Sequence, residues 1–386
     1  MSRETDVRAM LLDGHCCPIP PVTTRLPFPY HWIPGSLRMR LANWLAKPNV
    51  QAVRADGSRR PTAYADNSAD HLLASCDPAT ADLPAWSWPG GKRCALALSH
   101  DTDTSGQERG IDLLRSVAAD CAMPSCFSFV GDCLDSYRGK AEELLSGGCT
   151  IALHDMKHDN RIAFLSQNQI VERLRPAAPA MRALAIRGFR SPSWYTSRAL
   201  WSALQTVGFT YDMSPLDSWP LFDRTRNYGV ASFFPYFVGD LAILPTTIPF
   251  EYLRAFGYRL EDALAFWRPK FDFIARNGGL ILFNAHPDRW FSGNPTGARA
   301  LAACLNYILK NLDPACMTPD QVAEHTRQQR DRGAMITLSG DPAVLAPRHR
   351  PDFLSTAPSR VEHNPCRVTP KEFLSASIDA NRTVYR

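Results

Sequence analysis

The sequence has no apolar run near the eighteen or so residues that a membrane span needs. Its first residues, MSRETDVRAMLLDGHCC, are charged and lack the apolar core of a signal peptide, so a cytoplasmic location is the expectation. No Lys/Arg block with interleaved aromatics appears and the formal charge is only +5, which argues against a nucleic-acid partner. No Cys pair has zinc-ribbon spacing, although the chain has 11 cysteines. Cys94, Cys126 and Cys149 lie in or beside apolar runs, where the thiol acts as a small buried hydrophobe, so reduced core cysteines are expected. The Gly-rich dinucleotide fingerprint is also missing, which removes the main class of open-sheet enzymes.

What remains is an ordinary globular composition, 45% hydrophobic and 21% charged over 386 residues. Residues 1–86 are rich in Pro and aromatics, as in PIPPVTTRLPFPYHWIPG, and read as an extension draped on the main domain with a short amphipathic helix from Ser36. From Cys94 a repeating plan begins. Strand-length apolar runs occur at CALAL, SCFSF, TIAL, ALAIRGF, GFTYDM, LAILP and LILFNA, with helical patterns between most of them. Strand alternating with helix predicts βα units and a parallel sheet, and seven strands favour a closed or nearly closed barrel. This α/β domain is expected over 87–333, with a helix after the Thr318-Pro319 cap signal. An irregular tail over 334–386 is expected to follow it.

In parallel βα folds the reactive groups gather where strands end. The first strand ends in SHDTDT, with His100, Asp101 and Asp103. Two carboxylates so close need a cation or a proton between them. Alone, the stretch also fits a strand followed by an Asx-type turn. TIAL leads into HDMKHD, where His154 and His158 have the four-residue spacing that can bring two imidazoles to one metal. ALAIRGF ends in RSPSW, with Arg190 and Pro192. GFTYDMSPLDSW carries Asp212, Asp217 and Trp219, the two Asp fitting either a site or a turn. LILFNA, with Leu282, ends at His286.

Taken together these segments resemble the polysaccharide deacetylase family, the NodB-homology group of carbohydrate esterases, over roughly residues 90–315. SHDTD is similar to its first motif in the HDVD-type variant, HDMKH to its HxxxH metal motif and Arg190-Ser191-Pro192 to its RxP motif. DMSPLDSW resembles its Asp-Trp motif and LFNAH its last motif. The resemblance implies a distorted (β/α)7 barrel and a divalent metal, zinc first, with cobalt or nickel as the other metals. It implies Asp103, His154 and His158 as ligands, Asp101 as base, Arg190 holding that base and His286 as acid. Asp212 or Asp217 would orient His286, and Trp219, Pro192 and Leu282 would line the substrate pocket. The implied activity is N-deacetylation of an amino sugar, with the N-acetylated sugar as the substrate partner and a glycan-synthesis complex as a further candidate partner. A small non-sugar amide, as for allantoinases, and an inactive glycan-binding barrel are the competing readings. In the first motif Thr102 separates the two Asp, where the common form has them adjacent and followed by Gly.

Overall fold

The computed structural model describes residues 3–14, 22–25, 69–76, 83–218 and 229–349, with a few isolated positions among the first 40. They belong to one compact unit, Met1–Phe353. Trp219 lies outside the described residues, as do almost all of the helix expected from Ser36 and everything after residue 349.

Twelve strands occur among the described residues: β1 (Cys94–Thr102), β2 (Ser125–Phe129), β3 (Thr150–Leu153), β4 (Gly188–Phe189), β5 (Tyr211–Asp212), β6 (Tyr236–Val238), β7 (Leu241–Ile243), β8 (Ile248–Pro249), β9 (Leu280–Ala285), β10 (Pro314–Cys316), β11 (Met335–Leu338) and β12 (Val344–Pro347). The seven expected runs are β1, β2, β3, β4, β5, β7 and β9. They pair in parallel in the order β7-β5-β4-β3-β2-β1-β9, with β8 added beyond β9. Strands β1 and β9 are buried along their whole length, as sheet strands covered on both faces must be. Only four residues separate β7 from β8, yet these two strands stand at opposite ends of this parallel path. So short a link cannot cross a flat eight-stranded sheet, so the sheet curls until its edges approach. No ladder joins β7 to β8 among the described residues, and the result is a distorted barrel.

Helices cover the outside of this sheet. Arg198–Val207 begins where the Ser197 hydroxyl accepts the N–H of Leu200 and ends at Gly208, whose φ of 101° only glycine adopts cheaply. Pro319–Asp331 starts at the expected Thr318 cap, with Gln321 closing a capping box. The core forms two clusters. One gathers Trp267, Phe271 and Ile274 with Leu301 and Leu305. The other gathers Ile170, Leu200 and Trp201 with Val7, Leu11 and Leu12 of the N-terminal helix Arg3–Asp13.

The region read as an irregular tail departs from expectation. Residues 335–347 form the hairpin β11–β12, and β12 pairs with β6, extending the sheet in antiparallel fashion. The pairing of β12 depends on β6, about a hundred residues earlier, so local pattern did not reveal it.

Candidate metal centre and its surroundings

Side chains alternate along a strand, so Asp101 and Asp103 share a face of the chain at the end of β1, while His100 and Thr102 take the other. His100 packs on Phe127, with ring centroids 4.7 Å apart, and burial pushes its pKa down to about 4. It is a neutral core histidine on the strand face opposite Asp101 and Asp103.

The Oδ1 atom of Asp103 stands 3.4 Å from Nε2 of His154 and 3.4 Å from Nε2 of His158. One ligand atom from each residue falls within 4.8 Å of the others, and all three residues are buried. Asp103 Oδ1 has no hydrogen bond among the described residues. The two separations from Asp103 to the imidazoles are long for hydrogen bonds and match the roughly 3.3–3.6 Å between ligands that bind zinc tetrahedrally at about 2.0–2.2 Å. His154 Nδ1 lies 3.0 Å from the carbonyl oxygen of Arg190. Donation of Nδ1–H to that carbonyl leaves the Nε2 lone pair directed at Asp103, the tautomer a metal ligand requires. Burial raises the pKa of Asp103, but His158 and His154 outweigh it and hold the carboxyl well below its ordinary range. The donor set therefore fits a divalent cation, with two imidazoles and one carboxylate leaving positions open.

Beside this set, Asp101 Oδ1 is 3.8 Å from Arg190 Nε, both side chains being buried. This is an ion-pair distance, too long for a hydrogen bond. Burial pushes the Asp101 carboxyl up, but Arg190, His154 and His286 together bring its pKa below the ordinary value. The guanidinium is aimed by its other nitrogens: Nη1 donates to Thr246 Oγ1 at 2.6 Å and Nη2 to Ser99 Oγ at 2.7 Å. Ser99 Oγ in turn donates to the carbonyl of Phe283 on β9.

His286 follows β9, whose register explains its partner. Pro249 of β8 lies opposite Asn284, so two residues further on Glu251 comes opposite His286. Glu251 Oε1 accepts the His286 backbone N–H at 2.7 Å and the Ser292 hydroxyl at 2.6 Å, while Oε2 is 3.2 Å from Nδ1. Burial pushes the imidazole pKa down, but Glu251, helped by Asp103 and Asp101, raises it to about 10. The ring lies between Trp194 and Phe291, at centroid distances of 6.2 and 5.1 Å. Its turn is tightly held: a Cβ added at Gly110 would come 1.8 Å from the Pro287 carbonyl oxygen, so only glycine admits the helix Glu108–Asp120 here.

The expectation that Asp212 or Asp217 orients His286 is corrected by this geometry. Asp212 accepts Trp201 Nε1–H at 2.8 Å and is bonded by the backbone N–H and hydroxyl of Ser214. Burial lifts its pKa to about 6. Asp217 forms a fully buried ion pair with Lys270, at 2.8 Å. Both carboxylates are taken by side chains of the outer helices, Trp201 from Arg198–Val207 and Lys270 from Ala263–Arg276. Glu251 occupies the place beside His286. The signal that could have found it was weak: an acid two residues past the short apolar pair Ile248-Pro249.

Of the residues expected to line the pocket, Pro192 is buried and opens the turn Pro192–Trp194. Leu282 is buried on β9 and lies an even number of residues from His286, on the same strand face. The sequence reading missed Trp194. Ser193 and Trp194 both have positive φ, 55° and 59°, and this strained pair accompanies the approach of the indole to His286.

Solved structures similar to this chain include a protein reported as a polysaccharide deacetylase from Mycobacterium smegmatis, 22% identical with a TM-score of 0.53, covering 64% of this chain and 95% of that one. An allantoinase matches at 13% identity and a TM-score of 0.52, covering 64% and 94%. A protein reported as a polysaccharide deacetylase from Pseudomonas aeruginosa PAO1 matches at 14% identity and a TM-score of 0.52, covering 64% and 95%. No family model matches the sequence, and no curated protein does. Likeness at these identities is likeness of fold: the chain shares the fold of these solved polysaccharide deacetylase and allantoinase structures, a mostly parallel α/β sheet curled as a distorted barrel.

Proposed function

We propose that the chain is a metal-dependent hydrolase that removes an N-acetyl group from an amino sugar. The observation that carries this reading is the convergence of Asp103, His154 and His158 beside two further pairs, Asp101–Arg190 and Glu251–His286. An amide carbonyl is a poor electrophile, and its hydrolysis needs three services: activation of water, stabilisation of an oxyanion and protonation of the amine that leaves. Asp103, His154 and His158 would hold a divalent ion, zinc by donor chemistry, and such an ion would supply Lewis-acid polarisation of the carbonyl and a lowered pKa for the attacking water.

The chain's own residues supply the proton transfers. Asp101 takes the proton from the attacking water, and Arg190 keeps that carboxylate ionised and oriented. His286, kept protonated by Glu251, donates from its other ring nitrogen, Nε2, to the departing nitrogen. Trp194, Pro192 and Leu282 border the acyl side of the pocket. The resemblance adds Trp219 to that wall.

The sugar as substrate rests on likeness to the deacetylases, and the allantoinase of similar fold keeps a small cyclic amide as the second reading. No helix among the described residues is long and apolar enough to cross a membrane. Buried free thiols at Cys94, Cys126, Cys149 and Cys304 support action in a reducing compartment, the cytoplasm, on a glycan precursor. The test is acetate release from a panel of N-acetylated amino sugars by zinc-loaded protein, run beside ring opening of allantoin. Acetate release that chelation abolishes and zinc restores supports the reading. Activity on the cyclic amide alone replaces it with the second.

A further inference from the structure

The two histidines of the metal set lie on a segment with little regular structure of its own. After β3 the chain runs through His154-Asp155-Met156-Lys157-His158-Asp159-Asn160 with no helix or strand. Asp155 and Asn160 both have positive φ, 59° and 61°, a region that side chains other than glycine rarely enter. Something outside the segment must hold it, because local preference does not.

Arg173, in the helix Gln167–Leu174, reaches back under the segment. Its Nε donates to Asp155 Oδ1 at 2.9 Å and its Nη2 to Asp155 Oδ2 at 2.6 Å, a bidentate pair. Its Nη1 donates to Asp159 Oδ2 at 3.0 Å, and Nη2 is shared with Asp159 Oδ1 at 2.7 Å and the Lys157 carbonyl at 2.8 Å. One planar guanidinium thus binds residues 155, 157 and 159, the positions that flank His154 and His158. The Asp155 side chain is fully buried, and its Oδ1 also accepts the N–H of Met156 at 2.6 Å. Only an arginine can present two parallel forks in one plane to two carboxylates.

From this we infer that Arg173 is a positioning residue for the metal centre: it touches neither the ion nor substrate but fixes the loop in which both imidazoles converge on Asp103. The inference rests on the metal reading proposed above. Removing a group that orients ligands costs about 10–100-fold in metal affinity.

The experiment titrates metal-free protein with zinc against a chromophoric chelator and records, separately, the unfolding midpoint of the metal-free forms. Arg173→Met, which keeps the length of the stem and loses the fork, should weaken zinc binding by about 10–100-fold. Arg173→Lys, a point charge that reaches one carboxylate at a time, should recover part of that loss. A purely structural arginine would lower the midpoint of the metal-free protein and leave zinc affinity unchanged, and that outcome overturns the inference. Should Arg173→Met not fold, Asp159→Asn, which removes one arm of the fork, carries the test by the same criterion. Wild-type protein that binds no zinc overturns the metal centre itself, and with it the clamp.

Discussion

The Glu251–His286 pair yields a prediction in which the perturbation, its size and its sign can all be worked out. Glu251→Gln keeps an oxygen acceptor for the His286 N–H and the Ser292 hydroxyl, and removes the charge that raises the imidazole pKa to about 10. If the ring returns to an ordinary value of about 6.5, its protonated fraction at pH 8 falls from ~99% to ~3%. A reaction that needs the imidazolium then loses about 30-fold in kcat at pH 8 but only about 1.3-fold at pH 6. The loss grows about tenfold per pH unit until the wild-type ring itself titrates. A cation in the neighbouring site lowers both pKa values, so the quantity to read is the displacement between the two alkaline limbs. The same pair affects stability. The folded pKa lies above the unfolded one, so the stabilisation is complete below about pH 6.5 and is lost as pH rises through about 10. Glu251→Gln should flatten that slope. The assay is kcat from pH 5.5 to 9.5 for both proteins, with zinc content measured throughout. An alkaline limb that stays in place, or an equal loss at every pH, would refute the assignment of His286 as an acid held by Glu251.

Other outcomes follow from the same site. Asp101→Asn should keep zinc, as measured by metal analysis, while the rate falls about 10²–10⁴-fold; loss of zinc instead would show that Asp101 is a ligand and that the two Asp roles are exchanged. Free zinc at about 100 times its Kd should stabilise the wild-type protein by about 2.7 kcal/mol. The same zinc should leave Asp103→Ala unchanged in chemical denaturation. An N-butyryl substrate should turn over far more slowly than its N-acetyl counterpart, because extra methylenes in a fixed pocket cost strain as well as fit. Leu282→Ala should narrow that ratio, and equal rates for both acyl groups in the wild-type protein would remove the pocket.

Local pattern in the sequence was enough to mark the seven parallel strands, because each is a short apolar run set off by turn residues and helical periodicity. It was also enough to single out His154 and His158, because the HxxxH spacing is local, whereas alternation puts Asp101 and Asp103 on one face and left the choice between them to the family resemblance. What tertiary structure decided was which distant groups meet. Glu251 reaches His286 only because β8 pairs in register with β9, and a two-residue strand containing Pro249 leaves almost no periodic trace. Asp212 and Asp217 stand in motif-like positions, yet their carboxylates are taken by Trp201 and Lys270 from the outer helices, a choice no spacing encodes. Trp194 meets His286 from a turn whose two residues have positive φ, and Arg173 reaches Asp155 and Asp159 from a helix beyond the loop. Strand runs and ligand spacings are read along the chain, whereas the partners that orient a proton donor or hold a ligand loop are set by the packing of remote elements, and sequence separation does not record that packing.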